Sequence, residues 1–482
     1  MPSLGSALQI GRSALNAHQT GLNTVGNNIA NVNTPGYARK NTVLAGDSTI
    51  NGGVGGGVRV ASLTRPRDQF LDSQFRFEGG ALGRLEIKNG LMGTIEAIFT
   101  ELAGGGSSET SAIFSQASGS ALSGGFNRFY NGFQDLANDP QSTAARAQVR
   151  EEARFITEQF HRMHDQLTDL SAEIDLEVKD TVRDVNRITE DIAGLNKRIL
   201  SLKANTTDAA GNLDDERDRL IDELSSLIDV RVRTQTDGTL TVNGASGEGV
   251  LLVSGVSSVQ LGTRAVVRGD ASVSDVTLAA TGENLAITTG RLRGLIDVRD
   301  DKILSYKGSL DQLAVHFVGQ VNTVHGTGFG SDGSSGTFFF QPTLANAREI
   351  RLSTAIEADL SKIATGGPQA GNPNISAGAG DGSVAQAIAD LQHERSFGGG
   401  TQTIEEHYSQ FIGQIGAEAR EVIADLNSQG LVMEQVSNRR ENVRGVSINE
   451  EASDLILFQR AYQAAARIVS TVDELFQTIL NM

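Results

Sequence analysis

NTVGNNIANVNTPGYAR, residues 23–39, is where a helix with a regular apolar seam runs into a turn. Upstream, Leu8, Leu15, Leu22 and Ile29 recur every seven residues, and a second row, Leu4, Gly11, His18, Val25 and Val32, lies three or four positions away. Two such rows make the narrow stripe of a coiled-coil helix. Asn33-Thr-Pro35-Gly36 then stops it, because proline cannot continue a helix and glycine accepts positive φ. A seam of this kind needs a partner.

The partner expected is the other end of the chain. Ile448, Leu455, Tyr462, Val469 and Phe476 are spaced by seven, with Phe458, Ala465, Val472 and Ile479 three residues after successive members. Ser447-Ile-Asn-Glu450 ahead of them has the form of a capping box. Residues 1–46 hold no acid and carry Arg12, Arg39 and Lys40, whereas 447–482 carry five acids against Arg460 and Arg467. Exposed ion pairs contribute only about 0–1 kcal/mol each, so the seams must carry most of the pairing.

Between the ends the spacing describes nested layers. Residues 41–65, with the glycines 52–57, read as extended strand and loop; helix is expected from Pro66 to Leu102, then a Gly/Ser break at 104–108. Leu122, Phe126, Phe129, Phe133 and Leu136 form one amphipathic helix, and Asp139 and Pro140 look like the cap and first residue of the next. From Val149 to Leu202 apolar residues keep steps of three and four, with one stutter at Leu170, Ile174 and Val178. Asn212 is expected to cap a shorter helix. After Asp229 the period falls to two, and Thr236-Asp-Gly-Thr239 signals a hairpin. Helix returns at Leu292–Val324 and at Thr403–Arg444.

The fold class expected is therefore mainly α with a β-rich insert, a nested multi-domain rod. Residues 1–45 plus 447–482 would be paired terminal helices forming a coiled coil. Residues 46–229, 291–327 and 385–446 would be a long antiparallel helix bundle. Residues 230–290 would be an outer β domain at the far end, and 328–384 an irregular, polar, Gly/Ser-rich segment.

With 482 residues the chain exceeds one core. A net charge of −17 without a cluster of Lys and Arg argues against nucleic acid. The absence of cysteine excludes disulfides and thiolate chemistry. No run approaches eighteen apolar residues, so no membrane insertion is expected, and the N-terminus lacks the apolar core of a cleaved signal. His161 and His164, three apart, read as exposed or rim histidines, because a helical zinc site needs i, i+4 spacing. No nucleophile elbow, phosphate loop or calcium loop is complete, and acids spread along helix faces read as solvated. No enzyme, cofactor or metal is expected.

GNNIANVNTPGYAR, residues 26–39, resembles the N-terminal signature of the bacterial flagellar axial proteins of the rod, hook and hook-associated group. EEASDLILFQRAYQAAARIVSTVDELFQTIL, residues 450–480, resembles its C-terminal signature. The terminal segments that carry them cover about eighty residues at the two extremes. Pro35–Arg39 and GRLRGLIDVRD, residues 290–300, look most like the hook-associated subunits that join hook to filament. The alternative is another axial subunit, a hook or distal rod protein. A wall hydrolase would require paired carboxylates in a cleft, and an adhesin or phage fibre would lack the paired terminal signatures.

The resemblance implies a secreted, extracellular component of the flagellum, exported unfolded by the flagellar type III apparatus. It implies contacts with further copies of the chain, with hook protein and with a second junction protein, and an export chaperone on the C-terminal helix. It also implies that Asn27, Asn28, Asn31 and Asn33, with Pro35, Gly36 and Tyr37, belong to a packed tube of helices, where an unpaired buried amide costs about 1–3 kcal/mol. For an isolated helix, Asn23, Asn27 and Asn31 would simply be a solvated face. The interface candidates are thus Leu8, Leu15, Leu22 and Ile29 with these residues, against Leu455, Phe458, Gln459, Tyr462, Val469, Val472, Phe476 and Ile479.

Overall fold

The computed structural model describes residues 4–34, 36–47, 56–100, 122–205, 211–244, 250–343 and 346–481. The expected Gly/Ser break at 104–108 and most of the 52–57 loop lie outside them. Helix α1 (Leu4–Ala30) is followed by an antiparallel hairpin, β1 (Asn41–Gly46) and β2 (Val58–Thr64). Helix α2 (Gln69–Thr100) starts where Asp68 Oδ1 accepts the Phe70 amide at 2.8 Å. Helix α3 (Leu122–Asn138) packs on α4 (Thr143–Asn205), whose 63 residues make a spine about 95 Å long at ~1.5 Å per residue.

The expected start of α4 at Asp139 and Pro140 is corrected. The Pro140 carbonyl is taken by Arg146 Nη2 at 2.8 Å, so 139–142 stays a turn, and Ser142 Oγ accepts the Ala145 amide at 3.2 Å. Nor does Asn212 cap α5 (Gly211–Leu227): it sits in the first turn, with its Oδ1 accepting from Lys40 Nζ.

Strands β3 (Val230–Thr234), β4 (Leu240–Gly244), β5 (Val250–Ser254) and β6 (Ser257–Ser258) form one antiparallel sheet in chain order, and β7 (Leu261–Arg268) pairs with β8 (Ala271–Leu278). This insert does not stand at the far end of the rod. It lies along the C-terminal half of α4, because sheets of two and four strands cannot cover their own apolar faces; Val242, Leu252, Val253 and Val276 share one core with the spine. Asparagines on α4 hold it by a repeated grip. Asn196 donates to Leu240 O at 2.9 Å and accepts the Leu240 amide at 3.2 Å, and Asn186 does the same to Leu261 at 2.9 and 2.7 Å. Each side chain satisfies both backbone groups of one strand residue.

Helix α6 (Arg291–Ile296) continues through a π-helical stretch, Asp297–Ile303, into α7 (Leu304–His325). The wide turns carry Arg299 inward, where Nη1 meets Asp175 Oδ1 at 2.8 Å. His164 is buried rather than at a rim, with Nε2 3.4 Å from Asp270 Oδ2 in the β7–β8 turn; His161 Nε2 lies 2.7 Å from Ile350 O.

Residues 328–384 occupy the far end. They include α8 (Thr354–Ala358) and the short pair β9 (Pro368–Gln369) and β10 (Asn372–Ser376), and lead into α9 (Ser383–Asp390). The expectation of a polar segment is corrected: Phe339, Phe340, Ile350, Ile356 and Ile363 are fully buried. Phe129 of α3 meets Phe133, Phe317 and Phe339 edge-on, with ring centroids 5.0, 5.4 and 5.7 Å away. Asn322 grips Phe340 as Asn196 grips Leu240, at 3.0 and 2.8 Å.

His325 pins this cap to α7. Its Nδ1 lies 2.7 Å from Thr337 O and its Nε2 accepts the Ala364 amide at 2.9 Å, an arrangement only the neutral ring satisfies. Burial pulls its pKa down to about 4 from 6.5. The unfolded chain therefore binds a proton that the folded one refuses between pH 6.5 and 4. Stability falls by about 3 kcal/mol as pH drops through that window. Hydrogen-exchange protection factors of residues 346–364, corrected for the intrinsic pH dependence of exchange, should fall between pH 6.5 and 4.5, and His325→Gln should remove most of that dependence.

Helix α10 (Ile404–Arg444) opens with a capping box formed by Thr403 and Glu406, and α11 (Ile448–Leu480) closes the chain. The capping box expected at Ser447 is absent, since Glu450 is drawn to Arg39 instead of reaching back.

Candidate functional site: the terminal helix pair

Helices α1 and α11 run antiparallel and pack along their length. Two glycines set the spacing. A Cβ on Gly21 would lie 2.6 Å from the Phe458 ring, and one on Gly11 2.8 Å from Val469 Cγ2, so larger residues would push the helices apart. Gly11, Ala17, Gly21, Thr24, Val25 and Asn28 are the buried side of α1, whereas Leu8, Leu15, Leu22 and Ile29 are half-buried. The tightest contact thus follows the row containing Gly11 and Val25. On α11, Ala465 and Val472 are buried, Leu455, Phe458, Tyr462 and Val469 half-buried, and Gln459, Phe476 and Ile479 exposed.

The polar centre is Asn28, 1% exposed, against Glu451, fully buried. Asn28 Nδ2 donates to Glu451 Oε2 and to Lys40 O, both at 2.9 Å, while its Oδ1 accepts from the Lys40 amide at 3.1 Å and from Tyr37 OH at 2.9 Å. This is the same asparagine grip, here folding the 36–40 turn back onto α1. Arg39 Nε lies 2.6 Å from Glu451 Oε1, its Nη1 pairs with Glu450, and its Nη2 lies 3.2 Å from Asp454 Oδ2. The Arg39 amide donates to Arg444 O at 2.8 Å. Burial, with Asp215 and Glu451 nearby, pushes the Tyr37 hydroxyl up to about 12, so it stays a donor. Of the other asparagines, Asn23, Asn27 and Asn33 are exposed, and Asn31 bonds back to Asn27; Gly36 is half-buried, and Pro35 lies outside the described residues.

Beside the turn, α5 is tied to the β2–α2 connection and α10 to both α2 and α5. Arg65 reaches Asp218 at 2.6 Å and Asp215 at 3.2 Å, Arg67 bridges Asp72 and Asp218 at 2.8 and 2.7 Å, and Arg440 bridges Asp72 and Asp222 at 2.6 and 2.7 Å. Acids expected to be solvated are therefore buried in ion pairs. No α1 or α11 residue belongs to the continuous apolar core of the rod.

Outward, α11 leaves Ile456, Leu457, Ile468, Leu475, Ile479 and Leu480 exposed, Leu457 at 63% and Leu480 at 81%. Large apolar side chains left exposed together on one helix are a common feature of contact surfaces. Among the described residues, no group of three or more His, Asp or Glu is placed to hold a metal ion, and no helix is long and apolar enough to cross a membrane.

Comparison with known proteins points the same way. Residues 107–340 match the family model for the flagellar hook-associated protein FlgK helical domain, 8–37 that for the flagella basal body rod protein, and 442–482 that for the flagellar basal body rod FlgEFG protein C-terminal region. The chain is 26% identical to flagellar hook-associated protein 1 of Bacillus subtilis (strain 168), covering 100% of this chain and 99% of that protein. It is 26% identical to the protein of that name from Escherichia coli (strain K12), covering 99% and 100%. Its fold is similar to that of the flagellar hook junction protein FlgK from Burkholderia pseudomallei, with a TM-score of 0.65 at 16% identity over 77% of this chain and 100% of that one.

Proposed function

Since this chain belongs to the family of flagellar rod, hook and hook-associated axial proteins, we propose that it is a non-enzymatic adaptor joining hook to filament, a neighbour of hook protein on one side and a second junction protein on the other. It is secreted to the flagellum, unfolded, by the type III apparatus and assembles through its terminal helices. The observation that carries this reading is the half-finished state of α11: one side is locked to α1 through Glu451, and the other exposes Ile456, Leu457, Ile468 and Leu475. A head-to-tail contact repeated around a helical lattice buries such a row in a neighbour. Before assembly the same row needs cover, which fits an export chaperone on α11. The long-helix rod (46–229, 291–327 and 385–446) surrounds the terminal pair in the assembled structure, with the β insert on the outside.

The reading is tested by deleting Ser447–Met482 and supplying the truncated chain to cells lacking the native subunit. Hooks should form, filaments should not attach, and motility should be lost. Filament growth at normal frequency would remove α11 from the assembly contact.

A further inference from the structure

The terminal pair meets the rod through a narrow polar waist. Two covalent links cross it, 31–40 and the extended Gly445 connection between α10 and α11. Beyond these, α1 touches the β1–β2 hairpin, and the 36–40 turn rests on the start of α5. Apolar packing does not span the waist, because no α1 or α11 residue belongs to the core of the rod. The direction in which the pair leaves the rod is thus set by polar contacts.

The seat is specific. Lys40 Nζ donates to Asn212 Oδ1 and lies 4.0 Å from Asp215 Oδ2. Arg65, entering from the connection between β2 and α2, holds Asp215 Oδ1 at 3.2 Å. Lys40 and Asp215 each keep only 11% of their side-chain surface. From the same turn Arg39 faces the other way, into α11. One five-residue turn therefore grips α11 with one side chain and α5 with the next.

We propose that Asp215 is a positioning residue for assembly: by seating Lys40 on α5 it fixes the angle between the terminal helix pair and the rod, and so aims the exposed face of α11 at its neighbour. This rests on the reading of the terminal pair as the assembling element. Buried ion pairs serve orientation better than net stability, since desolvation offsets their attraction. The groups facing Asp215 are Lys40 and Tyr37 from the turn, Arg65 from the β2–α2 connection, and Asp214 and Asp218 on α5 itself. Burial, with Asp218 adding, raises its carboxyl to about 6 against the pull of Arg65 and Lys40. The carboxylate is therefore charged at neutral pH and loses its grip on Lys40 as pH falls through 6.

The chain has no cysteine, so spin labels can be placed on Gln463→Cys in α11 and Glu158→Cys in α4 of the full-length protein. At pH 7.5 the label-to-label distance should be a single narrow distribution. Asp215→Asn and Lys40→Met should each broaden it at least twofold, and Lys40→Arg should keep it narrow. Lowering the pH to 5 should broaden the parent but leave Asp215→Asn unchanged. An Asp215→Asn distribution as narrow as the parent at pH 7.5, or equal pH responses in the two, would overturn the proposal. The readout uses the isolated chain, so it stands apart from whether the truncated subunit supports filaments.

Discussion

Glu451→Ala releases α11 from α1 while leaving the rod folded: that is the expected result of removing one carboxylate from a chain of −17 net charge. The substitution takes the carboxylate from Arg39 Nε, 2.6 Å from Glu451 Oε1, and from one donor of Asn28, 2.9 Å from Oε2, leaving Arg39 only the more exposed Glu450 and Asp454. A buried donor left without its acceptor costs about 1–3 kcal/mol, and Glu451 is the fully buried polar tie between α1 and α11. Hydrogen exchange should lose its protection in residues 8–30 and 450–475 and keep it in 149–199. Arg39→Met added to Glu451→Ala should recover part of the loss, because removing both members of a buried pair is milder than removing one. Unchanged protection in α1 would contradict the central place given to this carboxylate.

The second large effect lies at the opposite end. Phe129 is fully buried and touches rings from α3, α7 and the 337–340 segment, so Phe129→Ala opens a cavity at the point where these three elements meet. The cost is about 3–5 kcal/mol. The transition of the rod in a thermal scan should move down by about 10 °C, at ~2–4 °C per kcal/mol for a unit of this size. A shift of a degree or two would mean the cap does not unfold with α3 and α7.

What was legible beforehand follows from which interactions leave a period in the sequence. The seam of α4 from Val149 to Ile199 could be counted, and its residues are buried. The hairpin at Thr236–Thr239 was readable because Gly238 takes a φ of 82° in that turn. The far-end cap was not, because Phe339, Phe340, Ile350, Ile356 and Ile363 follow no helical or strand spacing among the glycines and serines. Glu451 was missed because an acid inside a heptad reads as a solvated face; the signal available was Arg39, in an N-terminal segment with no acid of its own. Asn196 and Thr189 stand on the apolar stripe of α4, both fully buried, and polar residues at core positions were the clue to the asparagine grips. Placement of the β insert could not be read, since nothing local in a strand says which helix will cover it.

The two glycines of α1 bear on mechanics. Phe458 lodges against Gly21 and Val469 against Gly11, ten residues apart along one helix and eleven along the other. Sliding α1 past α11 by a turn would drive both side chains onto residues with a Cβ, whereas tilting the pair as a unit disturbs neither. The terminal pair therefore resists shear along its axis like meshed teeth. Axial load on the pair would pass from one helix to the other without a change of register.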